Sequence, residues 1–417
     1  MYRSVALCLL GLAGFLASCG GGSVPVSIRI SDNLTAAATW APIPGVDCDY
    51  VVAANKEIEV RAALTIQPGT KVCFEANSGL KVMETGSLSA KGTAADRITF
   101  TGTAATTGHW KGLAFRSNNP ANELDFADVQ FAGNNDTFCC DYFEGPDISA
   151  AVLVGSNATA TATLKLTNSR ITSSGNFGLY VFQSDRLESF AANTFSANTK
   201  APVALPITQM GKLDSASNYS GAGLVPNTVN AVQVNQSNGS ATSGVNQTIR
   251  KLDVPYAMML GDPNSEQEYQ GALTLEPEVR LEFEANTGLK IMETGSLRAV
   301  GTAAKPIVFT GRVASKGYWK GVAFRSNNPN NRLEYTEVSY AGNNDSFCCD
   351  YFEGPSISAA VLVGANGVTN ATLALVNSTV RDSDNYGVYQ FDGGNSVTAS
   401  GNTYTNNDLG NKPAALP

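Results

Sequence analysis

Residues 123–133 read ELDFADVQFAG. Apolar side chains stand at Leu124 and Phe126, and again at Val129 and Phe131. Each pair keeps the period of two that belongs to a strand. Between the pairs the phase slips, and in an unbroken strand a slip would carry the apolar set to the wrong face. It fits a corner, where one short strand ends and the next begins. Residues 332–342, RLEYTEVSYAG, repeat the slip with Leu333, Tyr335, Val338 and Tyr340. The flanking sequence is of the same kind. ALTIQ, KVCFE, GLKVM, RITFTG, GLAFRS, AAVLVG and LKLTN are short strand signals, each followed by Gly, Asn, Ser or Pro. No window sustains the i, i+3, i+4, i+7 apolar stripe of a helix. Short strands, corners and small turn residues predict a coiled β-solenoid.

The repeat is not local. Residues 74–155 align with 283–364 at a constant offset of 209, with 59 of 82 positions identical. FEANSGLKVMETGSLSAKGTAA meets FEANTGLKIMETGSLRAVGTAA, and HWKGLAFRSNNP meets YWKGVAFRSNNP. The correspondence reaches KAPVALP (200–206) against NKPAALP (411–417). Two tandem units are therefore expected, residues 25–226 and 227–417. Within a solenoid each coil buries its apolar side chains on the next, so the array must be long and its ends covered. Residues 25–60 are expected to cover the first end, and the last end is read as a short polar rung, with an open partner-binding edge as the alternative.

The run LTIQPGTKVCF (64–74), GSLSAKGTAADRITFTG (86–102), GHWKGLAF (108–115), LDFADVQFAG, AAVLVG and LKLTNSRITSSGNFGLYVF (164–182) resembles bacterial right-handed parallel β-helix surface proteins of the pectate-lyase-like superfamily. The resemblance covers nearly all of both units. It implies the fold strongly and the function hardly at all.

The first residues carry an address. Arg3 gives a basic start, and VALCLLGLAGFLAS (5–18) is apolar but too short for a transmembrane helix. Leu16-Ala17-Ser18-Cys19 resembles a bacterial lipobox. That resemblance implies a signal peptide over 1–18, cleavage before Cys19 and acylation of its thiol, palmitate included. Residues 19–24 then form the lipidated, glycine-rich tether. Gly20 is not the aspartate of inner-membrane retention, so a lipid-anchored outer-membrane location is expected, on the periplasmic or the cell-surface side. The 28 Lys and Arg against 36 Asp and Glu give a net charge of −8, which argues against a nucleic-acid partner.

Beyond Cys8 and Cys19, six cysteines remain in a compartment where disulfides persist. Cys48 and Cys73 occur only in the first unit and are expected to pair. The other four stand in twin loops, NNDTFCCDYFEGP (134–146) and NNDSFCCDYFEGP (343–355). Cys139-Cys140 and Cys348-Cys349 are read as vicinal disulfides, with free thiols, intermolecular pairing or a metal dithiol as alternatives. The resemblance implies a rung of about 22 residues, hence nine to ten rungs and roughly 45 Å between the loops, which forbids a cross-link in one continuous solenoid and leaves it only to a fold-back of two separate lobes.

Each loop gathers candidate recognition residues: Asn134, Asn135, Asp136, Asp141, Tyr142, Phe143 and Glu144, and Asn343, Asn344, Asp345, Asp350, Tyr351, Phe352 and Glu353. They either bind a ligand or cover the solenoid wall. Polysaccharide lyases and hydrolases on this fold use clustered carboxylates, sometimes with Ca²⁺, and a Lys or Arg base. If the chain is such an enzyme, acting on acidic polysaccharide, the candidates are Asp136, Asp141, Glu144, Lys111 and Arg116, with Asp345, Asp350, Glu353, Lys320 and Arg325. The preferred expectation is non-catalytic binding of a glycan, surface polymer or protein, with no cofactor and no metal. The lysines and arginines then read as solvated exterior charges, Trp110 and Trp319 as core or sugar-stacking residues, and the turn asparagines as ladders.

Overall fold

The computed structural model describes residues 24–136, 138, 148–155, 161–182, 186–235, 244–259, 266–345, 347, 357–365, 370–413 and 416. The chain is nearly all-β, and every pairing between its strands is parallel. Successive strands go to three sheets in turn, an arrangement compatible with a parallel β-helix. Among the described residues the longest sheet has thirteen strands, from Glu57–Val60 to Thr403–Thr405. Its members read GLKV (79–82), GLAF (112–115) and AAVLV (150–154), with every residue buried. Strands covered on both faces need that near-continuous apolar composition. One core cluster runs from Trp40 to Val388.

The corner reading of ELDFADVQFAG holds. Glu123–Asp125 and Ala127–Gln130 are separate strands in different sheets. Phe126 between them has φ +46°, and Phe131 after them +61°. Tyr335 and Tyr340 take the same values. Such angles are unusual for a bulky residue. Leu124, Ala127 and Val129 point into the core, while Phe126 and Phe131 sit at the corners, half-buried. Only one member of each apolar pair is therefore inward.

Rung length departs from expectation. Glu57 pairs with Gly79, 22 residues on, but Gly79 pairs with Gly112 and Leu113 with Val152, spacings of 33 and 39. The excess residues lie between the paired strands.

The Cys48–Cys73 disulfide is present, its Cα atoms 5.8 Å apart. It ties the segment before Tyr50–Val52 to the strand Lys71–Phe74.

At the junction of the two repeats the stacking changes frame. Lys71–Phe74 lies in a seven-stranded sheet, but its copy Arg280–Phe283 joins the thirteen-stranded one. Val203–Pro206 pairs with Val232–Asn235, which pairs with Tyr256–Met259, and Arg280–Phe283 follows. A 3-10 turn, Ile207–Lys212, stands where a strand of the adjoining sheet would stack. Side-chain amides join it to both neighbours. Gln209 Oε1 accepts from Leu187 N–H at 3.1 Å, and Gln247 donates to the Ile207 carbonyl and accepts from Gly211 N–H, both at 2.8 Å.

Candidate functional site

The strand Glu57–Val60 turns Ile58 and Val60 into the core, so Glu57 and Glu59 stand on the outer face of the same wall. Gly79–Val82 stacks beside it and places Lys81 directly opposite Glu59. The next strand begins at Gly112 with Lys111 just before it. The three strands thus assemble a ladder of charge. Lys81 Nζ lies 2.9 Å from Glu57 and 3.7 Å from Glu59. Lys111 Nζ lies 2.8 Å from Glu57 and 3.4 Å from Asp136. The second unit repeats it more deeply. Glu266 receives Lys290 at 2.7 Å and Lys320 at 2.8 Å, and Lys320 reaches Asp345 at 3.5 Å. Lys111 and Lys320 are 6% and 2% exposed, so they are buried charges and not solvated ones. Arg116 and Arg325 are likewise held by Glu84 and Glu293.

Beside this ladder the described stems of the twin loops, Asn134–Asp136 and Asn343–Asp345, are pinned in place. Asp136 is tied to Lys111. Asn134 donates to Asn77 at 3.0 Å, and Asn77 to Asn55 at 3.3 Å, an asparagine ladder across three rungs. Asn135 accepts from Asn176 at 3.0 Å. Phe138 packs on Gly79, where an added Cβ would lie 2.6 Å from the ring. Asn343, Asn344 and Phe347 repeat the arrangement on Asn286, Asn385 and Gly288. Asn135, Asp136, Asn344 and Asp345 remain exposed.

Of the residues read as candidates, the structure joins Lys111 with Asp136 and Lys320 with Asp345. Cys19, the four loop cysteines, Asp141, Tyr142, Phe143, Glu144, Asp350, Tyr351, Phe352 and Glu353 lie outside the described residues. Glu57, Glu59 and Lys81, with Glu266, Glu268 and Lys290, escaped the sequence reading. The alternation EIEV at 57–60 beside GLKV at 79–82, one 22-residue step away, was their available signal. Trp110 and Trp319 belong to the core. Both are fully buried, stacked on Phe74 at 3.8 Å and Phe283 at 4.0 Å, and each donates its indole N–H to a backbone carbonyl at 2.8 Å.

Chemically the ladder is a set of neutralised ion pairs. Glu57, Asp136, Glu266 and Asp345 are each bound to an ammonium, which opposes their service as calcium ligands. Among the described residues no three His, Cys, Asp or Glu side chains stand close enough together to hold a metal ion.

No family model matches the chain, and searches of curated proteins and of solved structures return no similar protein.

Proposed function

We propose that this chain is an outer-membrane lipoprotein, anchored through acylated Cys19, whose parallel strands wind as a right-handed β-helix of two tandem units, 25–226 and 227–417. It works by binding a glycan, surface polymer or protein, without catalysis. The observation that carries this reading is the burial of Lys111 and Lys320. A lyase base must reach substrate with a free lone pair. Each of these ammonium groups is instead surrounded by two carboxylates of its own chain. What the wall offers outward are stiffly held polar stems, Asn135-Asp136 and Asn344-Asp345. Rigid presentation of a few polar groups suits recognition.

A glycan array run beside a panel of lyase and hydrolase substrates tests the proposal. Binding without turnover is expected, weakened by Asp136→Ala with Asp345→Ala. Turnover abolished by that double variant would overturn it in favour of polysaccharide degradation.

A further inference from the structure

The end of the stack nearest the tether is apolar. Val24, Val26 and Ile28 are 81%, 74% and 47% exposed and recur at every second residue. They lead into Ile28–Ile30, the terminal strand of the seven-stranded sheet, which pairs with Tyr50–Val52 and ends that sheet. A second apolar segment, APIPGV (41–46), lies beside them. A Cβ built on Gly45 would stand 2.9 Å from Cγ of Pro25, and Pro42 and Pro44 are exposed. The nearby cations are spoken for. Lys71 reaches Asp47 at 2.8 Å, and Arg29 grips Glu75 at 2.6 and 2.8 Å. The Arg29 hydrogen bonds, with one from Ala54 N–H, hold the Glu75 carboxyl below its usual range despite burial. An edge strand normally carries charge to discourage pairing; here the one charge within Ile28–Ile30, Arg29, is engaged by Glu75, and the residues leading into the strand are exposed valines.

What covers it is indicated by position. Four residues separate Val24 from Cys19, five steps of chain or at most about 18 Å when extended. The apolar run 5–18 precedes that cysteine directly. A thiol acylated there would bring the apolar end into the headgroup region, where such side chains settle. We propose that Val24, Val26 and Ile28, flanked by Pro42 and Pro44, form a lipid-facing foot that seats the first end of the stack on the bilayer. This rests on the anchored reading of Cys19. It adds that the protein stands on its tether end, and does not swing freely on the glycine linker.

The test uses full-length protein, processed and purified from membranes, with Val26→Trp or, at the opposite end, exposed Thr403→Trp. The three native tryptophans are at most 4% exposed and give a constant background. Each variant is reconstituted into phosphatidylethanolamine–phosphatidylglycerol vesicles with brominated acyl chains, and mass spectrometry reads Cys19 in the same sample. The expected result is acylated Cys19, with emission at position 26 shifted blue and quenched at least twofold and emission at position 403 unchanged. Acylated protein with no quenching at 26, or equal quenching at both positions, overturns the foot while leaving the anchor intact. A blue shift that appears without vesicles and grows with protein concentration also overturns it, assigning the patch to a second copy. Unmodified Cys19 overturns the anchor, and the foot with it unless position 26 is still quenched.

Discussion

Glu266 carries the charge balance of its wall. Its side chain is 6% exposed between Lys290 and Lys320, themselves 4% and 1% exposed. Desolvating three such groups is tolerable only while each keeps its partner. Glu266→Gln should therefore lower stability by about 3 kcal/mol, the range for removing one member of a buried pair. Asp345 touches the same Lys320 but is 52% exposed, and Asp345→Asn should cost less than about 1 kcal/mol. Denaturant midpoints of the two variants, compared at equal m-value, check the contrast. Equal costs would mean that the ladder is not the buried unit described. The sequence showed Lys320 and Asp345 but not this hierarchy. Burial depends on which strands stack, and residues 266 and 320 are 54 apart with no fixed rung length to relate them.

At the scale of the strand and its turn, far more was legible. Alternation located the strands, and its phase slip located the corners at Phe126 and Tyr335. Asparagine-rich turns do form ladders, and these join rungs through the backbone. Asn198 accepts from Ser174 N–H at 3.0 Å while donating to Asn227 at 2.8 Å and to the Ile171 carbonyl at 3.3 Å. Asn227 donates onward to the carbonyls of Phe195 and Tyr219. Asn193, Asn402 and Asn407 make the same backbone bridges in their own rungs. Parallel sheets leave these turn groups without ladder partners, so a side-chain amide supplies both a donor and an acceptor. Asn198 is buried, and Asn198→Ala takes a partner from the Ser174 N–H and the Ile171 carbonyl, while Asn227 Oδ1 keeps the backbone N–H of residue 198. A loss of about 1–3 kcal/mol is expected. Amide hydrogen exchange should speed up at Ser174 and not at Ser378, whose partner is Asn402 in the other repeat. Unchanged exchange at Ser174 would show that the ladder is decorative.

Over the whole molecule the duplicated sequence does not give a duplicated setting. The first charge ladder lies on the thirteen-stranded sheet, and the second on the five-stranded one that starts at Glu266–Tyr269. The linker after Pro206 shifts the frame, and an alignment at constant offset cannot register that shift. The described stems that precede the two near-identical loops, Asn134–Asp136 and Asn343–Asp345, therefore stand beside different sheets. The last rung has also diverged. Leu187, Phe190 and Phe195 of the first unit are buried, while Val397, Ala399 and Tyr404 in the matching places are half-exposed. Smaller or more polar side chains there suit their partial contact with solvent. Separation along the stack bears on the expected pairing of the loop cysteines, which lie outside the described residues. Phe138 and Phe347, each next to a cysteine pair, dock on Gly79 and Gly288. Gly288 opens the strand after Arg280–Phe283, which is seven steps from Gly79–Val82 in the thirteen-stranded order. At about 4.8 Å per step the docking points stand roughly 34 Å apart, less than a 22-residue rung implied but far beyond the ~7 Å a disulfide allows. Peptide mapping without reduction should recover Cys48 joined to Cys73. It should show no bond from Cys139 or Cys140 to Cys348 or Cys349 within a monomer. One such bond would require the two halves to fold back on each other, which the shared sheet forbids.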